Sequence, residues 1–178
     1  MKHILLMISL ICFQSFSAQN IMDFDLKNVQ LQGMGPVKIN KEMKSIGITQ
    51  VPFVTDNPDI ISKIANEDIA PKIRKLYAFP YYSPTDELND GGVYIYQFGS
   101  KKDLDEYLAK NFEQSNYRVL IKDLFYIRIW SDYGYQIKGK ETSDDHLNKM
   151  EKYYTKLGAK RVMLKPETSI ISEAVSDQ

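Results

Sequence analysis

The chain has 178 residues, and its 23 Lys and Arg balance its 23 Asp and Glu, so the net charge is zero. This balance leaves no basic excess for nucleic-acid binding and no long block of like charge. Aromatic residues make up 12% of the chain, with twelve tyrosines and one tryptophan. That content fits either a tyrosine-rich binding surface or an ordinary aromatic core.

Residues 1–18 have the order of a secretory signal peptide. Lys2 and His3 form a basic start, residues 4–13 are an apolar run, and small residues lead to Ala18. The run is too short to span a bilayer, which takes roughly 20 apolar residues. We therefore expect export to the periplasm or the extracellular space, cleavage after Ala18 and no stable membrane insertion. An uncleaved N-terminal anchor is the alternative.

The mature chain carries few residues suited to catalysis or metal binding. Cys12, the only cysteine, lies in the signal, so disulfides, thiolate metal sites and a cysteine nucleophile are excluded from the mature chain. His146 is its only histidine, and its neighbours Asp144 and Asp145 permit a general base or, more simply, an exposed residue near a helix cap. No cofactor and no metal site are predicted.

The first half of the mature chain gives weak signals. Residues 22–26 alternate as a strand, and residues 46–54 form an edge strand because Pro52 interrupts them. Asn57-Pro58 begins a helix, which Pro71 restarts with a second piece, and residues 78–88 look like an aromatic loop. We therefore expect an irregular α/β segment here.

The second half reads as β-α-β-β-α-β. Its strands are residues 93–98, 117–122, 124–130 and 161–165, with Asp123 alone as the turn between the middle two. A hairpin of residues 124–130 with 135–138 is the competing pairing. The helices are residues 101–113, capped by Ser100, and a segment from Ser143 that Gly158 ends.

This order predicts an α+β fold with a ferredoxin-like βαββαβ sheet over about residues 92–165 and an N-terminal α/β extension. The element order recurs in unrelated proteins and carries no function by itself. The predicted units are residues 1–18 as signal, 19–91 as a strand and helix extension on the sheet, 92–166 as the ferredoxin-like unit, and 167–178 as a tail.

Helices on one side of such a sheet leave the other face for binding. Alternation puts the aliphatic residues, including Val119 and Ile121, on the helix side and gathers arginines and aromatics on the other. Tyr, Trp and Arg are enriched at binding hot spots. The predicted binding face consists of Tyr94, Tyr96, Arg118, Tyr126, Arg128, Trp130 and Arg161.

Three alternatives remain for what covers that face: the N-terminal segment of the same chain, a second copy in a homodimer, or a ligand or partner protein. A partial cover can leave a cleft. We expect an exported, non-enzymatic binding module that recognises a protein, a glycan or an anionic small molecule. The alternatives are a small hydrolase-type enzyme using His146 with Asp144 or Asp145, and a homo-oligomeric structural subunit.

Overall fold

The computed structural model describes residues 20–65, 67–83, 86–113, 116–132 and 140–166. They form a mixed α+β fold, as the sequence predicts. The helices are α1 (Lys41–Ser45), α2 (Pro58–Ala65), α3 (Lys101–Ala109) and α4 (Lys140–Lys156), with 3-10 turns at Ile21–Phe24 and Ala70–Lys72. The strands are β1 (Gly35–Pro36), β2 (Phe53–Thr55), β3 (Ile73–Ser83), β4 (Asp86–Phe98), β5 (Phe112–Glu113), β6 (Tyr117–Lys122), β7 (Phe125–Ser131), β8 (Lys160–Val162) and β9 (Lys165–Pro166).

The main sheet is antiparallel and has the order β1-β3-β4-β7-β6-β8, with β2 also paired to β3. Strands β5 and β9 form a separate parallel pair. The ferredoxin-like topology is not confirmed, because the strand order differs. In that topology the last strand lies beside the first, whereas here β8 pairs with β6 and β3 occupies the outer edge of β4.

This strand order places α3 and α4 on opposite faces of the sheet. The β4-α3-β6 and β7-α4-β8 crossovers move in the same direction across the sheet but start from antiparallel strands. Crossovers of one hand must then lie on opposite sides. Leu104 of α3 packs with Tyr96 and Phe98, while Leu147 and Met150 of α4 pack in the other core. The sheet is therefore covered on both faces, which we call the α3 face and the α4 face.

A two-residue turn between β6 and β7 decides which side chains share a face. Both Asp123 and Leu124 lie in the turn, and Lys122 pairs directly with Phe125. Directly paired residues of antiparallel strands point to the same side. The even residues of β6 therefore join the odd residues of β7. The sequence expectation that Val119 and Ile121 share a face with Ile127 is wrong.

Residues 20–32 form a strap across the α4 face, not the strand that was predicted over residues 22–26. The Asn20 side chain accepts a hydrogen bond from the Met22 amide at 3.1 Å and so caps the first 3-10 turn. Phe24 and Leu26 are fully buried. Tyrosine hydroxyls hold this strap from below: Tyr154 donates to the Phe24 carbonyl, Tyr153 to the Asp25 carbonyl and Tyr77 to the Asp25 carboxylate, while Tyr81 lies 3.0 Å from the carbonyl oxygens of both Leu26 and Val29.

Strand β3 occupies the region where the sequence predicts a helix after Pro71 and a loop after residue 78. Tyr77 and Phe79 enter the core of the α4 face, and Leu76 and Ala78 enter that of the α3 face. A strand buried on both faces shows no alternation of apolar and polar residues. The expected loop at residues 78–88 is wrong for the same reason.

Other local predictions hold in part. Asn57 caps α2 by accepting from the Asp59 amide at 2.9 Å, and Ser100 caps α3 by accepting from the Asp103 amide at 3.1 Å. Gly158, with a φ of 89°, follows α4. Helix α4 begins at Lys140, however, and Ser143 donates to the Ser131 carbonyl instead of capping it. The competing hairpin partner, residues 135–138, lies outside the described residues.

We expect Gly92→Ala to lower the free energy of unfolding by about 2–3 kcal/mol, measured by urea denaturation. Gly92 has a φ of 134°, and an added Cβ would lie 2.2 Å from the Phe79 carbonyl oxygen across the β3–β4 ladder. Gly35→Ala is the control, because nothing lies within 4 Å of its added Cβ. Similar losses in both variants would contradict the pairing of Gly92 with Pro80.

Candidate functional site

The centre of the predicted binding face is core. Helix α3 covers its centre, where Tyr107 contacts Tyr96 and Tyr126 with ring centroids 6.1 and 4.9 Å apart. Tyr96 is 2% exposed and Tyr126 has no exposed surface. These two predicted site residues therefore pack inside the protein, and only the end of the face beyond Tyr94 remains open.

A pocket of about 300 Å³ lies at that open end, where β4, β6 and β7 meet their connecting segments. Strand pairing builds it, since Tyr94 lies opposite Arg128 and Tyr117 lies opposite Trp130. We call it the rim pocket. Its lining consists of Asp90, Tyr94, Asn116, Tyr117, Arg128, Trp130 and Asp132.

Trp130 forms one wall of the rim pocket. Its ring stacks on Tyr94, with the centroids 4.6 Å apart and an angle of 6° between the planes. Its indole N–H donates to the Asp90 carboxylate at 3.2 Å. Stacked aromatic rings with an N–H partner form a stiff platform with one end apolar and the other polar. Trp130 remains half-buried, so the platform is accessible from the pocket.

Arg128 is a half-buried cation that the described protein leaves without a polar partner. Its guanidinium carbon lies 5.3 Å from the Tyr94 ring centroid and 5.8 Å from that of Tyr117, which are cation–π distances. Its Nε is buried and makes no hydrogen bond to the described residues. No described carboxylate lies within 4.0 Å of the guanidinium.

Nearby tyrosines also influence the pKa of Arg128. Burial by itself lowers the pKa of Arg128, but the hydroxyls of Tyr96, Tyr126, Tyr107 and Tyr94 outweigh it and the net change is upward. The pKa of Tyr94 is raised by burial, with Arg128 acting against the change and Asp90 adding to it. Arg128 therefore stays charged, although no described carboxylate lies within 4.0 Å of it.

Two carboxyls form the opposite side of the rim pocket. Asp90 and Asp132 lie side by side, since the Asp132 amide donates to the Asp90 carbonyl at 2.8 Å. Loss of water around its carboxyl raises the pKa of Asp90; the bond from Trp130 opposes this rise, and the neighbouring Asp132 carboxyl adds to it. The Asn116 amide donates to the Asp132 carboxylate at 2.6 Å. The acids are thus held together, and away from Arg128.

Arg118 and Arg161 lie on the α4 face, so the expectation that they join this site is wrong. Arg118 donates to Glu151 at 2.6 Å and to Asn148 at 2.8 Å, both on α4. Arg161 lies 3.6 Å from the same Glu151 carboxylate. Because the β6–β7 turn has two residues and not one, each side chain of β6 lies on the face opposite to the predicted one. The side chains of β8 are exchanged in the same way, since Arg161 pairs with Leu120.

Four residues of the rim pocket were missed by the sequence reasoning: Asp90, Asn116, Tyr117 and Asp132. The alternation of side chains along the strands already indicated two of them, Asp90 and Asp132. Asp90 lies four residues before Tyr94 and Asp132 two residues after Trp130, so period-two continuation beyond the strand ends puts both on the same face. Tyr117 and Asn116 required the correct register of β6.

His146 belongs to α4, and its side chain is buried on the α4 face, away from the rim pocket. Its Nδ1 is 3.0 Å from the Ser131 hydroxyl and its Nε2 is 2.9 Å from the Gln32 carbonyl oxygen. Nε2 must therefore donate, and Nδ1 accepts from Ser131. Both His146 and Ser131 have no exposed surface. The pair joins α4 to β7 and, through Gln32, to the strap.

Neither a search of the described residues for metal and membrane sites nor a comparison with known proteins gives a match. Across the described ranges, no group of three or more His, Cys, Asp and Glu is placed to hold a metal ion. None of the helices in those ranges is both long and apolar enough to cross a membrane. No protein family, no curated protein and no solved structure matches this chain.

We expect the free energy of unfolding to fall as the pH drops below about 6.5, and His146→Gln to reduce that fall. Burial lowers the pKa of His146, so the unfolded chain takes up a proton that the folded chain resists. The contribution is complete above the unfolded pKa and is lost below it. Chemical denaturation between pH 7.5 and 5.5 measures the slope; an equal slope in both proteins would contradict a neutral buried imidazole.

Proposed function

We propose that this protein is an exported, non-enzymatic binding module that holds a small ligand in the rim pocket. The carrying observation is Arg128, a half-buried cation on the pocket wall whose buried Nε finds no acceptor among the described residues. Buried polar groups in proteins are almost always paired, and exceptions concentrate at functional sites. The Trp130–Tyr94 platform beside it supplies the apolar contact that small-molecule sites typically have.

The shape of the site supports a small ligand over a broad protein contact. Helix α3 buries Tyr96 and Tyr126, so the flat surface of a protein has little of the face left to contact. A pocket of about 300 Å³ is at the lower end of the range for small-molecule sites. A small molecule, or the end group of a glycan, fits this space. Because α3 already covers the apolar centre of this face, a homodimer that packs sheet against sheet draws no support from it.

The export part of the proposal rests on residues 1–18, which lie outside the described residues. The described residues are compatible with it, because Asn20, two residues after the predicted cleavage site, caps a 3-10 turn. The side chains that follow, Ile21 and Phe24, are buried. A chain starting at Gln19 would keep every contact of this strap.

The enzyme alternative draws no support from the geometry of His146. Its buried imidazole already bonds to Ser131 and Gln32. A general base must reach the proton that it removes, directly or through one water. The binding role is therefore the better-supported proposal.

Arg128→Met should raise the free energy of unfolding by about 1 kcal/mol and abolish ligand binding. Methionine keeps the apolar stem but removes a desolvated charge and its unpaired N–H, an exchange that is often stabilising. Arg161→Met is the matched control, because it removes an arginine from the α4 face. Denaturation and Trp130 fluorescence titrations with sugars, organic anions and amino acids measure the two effects. A large loss of stability in Arg128→Met would show that the arginine is structural.

Expression of the whole chain in a Gram-negative host should yield a mature protein in the periplasm that begins at Gln19. The basic start, the short apolar run and the small residues before Gln19 are what signal peptidase recognises. N-terminal sequencing of the periplasmic fraction checks this. Replacing Leu5 and Leu6 by arginine is the control, because it disrupts the apolar run and should retain the precursor in the cytoplasm. A full-length protein in the membrane fraction would support the anchor alternative.

A further inference from the structure

The rim pocket holds charges of both signs that the protein leaves separate. Arg128 lies on one side, and Asp90 with Asp132 lies on the other. No ion pair within 4.0 Å joins Arg128 to either acid. Elsewhere in the described fold the arginines on the α4 face share a carboxylate, that of Glu151. The separation is therefore a specific property of the pocket.

The arginine side of the pocket needs an acceptor. A guanidinium carries five N–H donors, and ring faces satisfy its charge only in part. The described residues provide rings, from Tyr94 and Tyr117, but no hydrogen-bond acceptor. The geometry that a guanidinium matches best is a carboxylate, which can take two parallel hydrogen bonds.

The acidic side of the pocket needs a donor, and above all a cation. The Trp130 N–H and the Asn116 amide each give one hydrogen bond to the two carboxyls. These neutral donors leave the charge of the two carboxylates without a cationic partner among the described residues. The raised pKa of Asp90 has the same cause, since water loss and the neighbouring Asp132 disfavour its anion.

Each ligand with a single charge meets an obstacle in this pocket. An anion alone would meet two carboxylates, and a cation alone would meet Arg128, which already occupies the ring faces of Tyr94 and Tyr117. A neutral sugar would supply no charge to either side and would leave the half-buried Arg128 without an ionic partner. A molecule with one charge of each sign, a few ångströms apart, meets neither obstacle.

We propose that the ligand of the rim pocket is a free α-amino acid, bound with its carboxylate at Arg128, its ammonium at Asp90 and Asp132, and its side chain along the Trp130 ring. This inference rests on the proposed function, whose binding site it uses. A cavity of about 300 Å³ has room for one such molecule. Recognition of both charged groups in one small space explains why the protein keeps Arg128 and the acids apart.

The test uses residues 19–178 and isothermal titration with each of the twenty L-amino acids, a set of hexoses and a set of dicarboxylates. The amino acid that binds best is then compared with its N-acetyl and its amide derivatives. We expect each derivative to bind at least tenfold more weakly than the parent, because each lacks one of the two charges. Arg128→Gln should weaken the parent at least tenfold, and Arg161→Gln should leave it unchanged.

The outcomes separate this inference from the proposed function. Equal affinity for the parent and its N-acetyl derivative, or no binding by any of the twenty amino acids, overturns the amino-acid proposal. If hexoses or dicarboxylates bind instead, and Arg128→Gln weakens them, the binding function stands with another ligand. If no compound of the three sets binds, while circular dichroism shows the protein folded, the small-ligand function fails as well.

Discussion

The even number of residues in the turn between β6 and β7 is the constraint on which the site depends. Asp123 takes a left-handed conformation with a φ of 52°, and together with Leu124 it forms a two-residue connection. Two turn residues put Lys122 opposite Phe125. Every residue of β6 is assigned to its face by that one pairing, because side chains alternate with a period of two. The turn thus sends Arg118 to α4 and Tyr117 to the rim pocket.

The same parity divides the charged residues into two environments. On the α4 face, Arg118 and Arg161 share the carboxylate of Glu151, which is an ordinary ion-pair network at the edge of a core. On the α3 face, Arg128 packs between aromatic rings and finds no carboxylate among the described residues. Removing a cation from water without an ionic partner costs free energy, and this cost is the ground for the binding role proposed for Arg128.

Helix α3 sets the size of the site. Tyr107 closes the centre of the α3 face over Tyr96 and Tyr126, and the pocket begins only where that cover stops. On the other face, α4 and the tyrosine-bound strap cover the sheet, and His146 joins the two through its hydrogen bond to the Gln32 carbonyl. Among the described residues, the buried side-chain atoms without a hydrogen-bond partner are the Arg128 Nε and the Tyr126 hydroxyl, and both lie on the α3 face.

Sequence by itself determined the α+β class, the caps at Asn57 and Ser100, strands β6 and β7, and the presence of Tyr94, Arg128 and Trp130 on one face, since local periodicity and capping carry that information. It did not determine the strand order, because pairing partners are chosen by burial over the whole chain. It missed β3, whose two buried faces hide its period. Tertiary structure alone decided that Arg118 and Arg161 leave the site and that Asn116 and Tyr117 enter it, because a register is a relation between strands and not a property of either one.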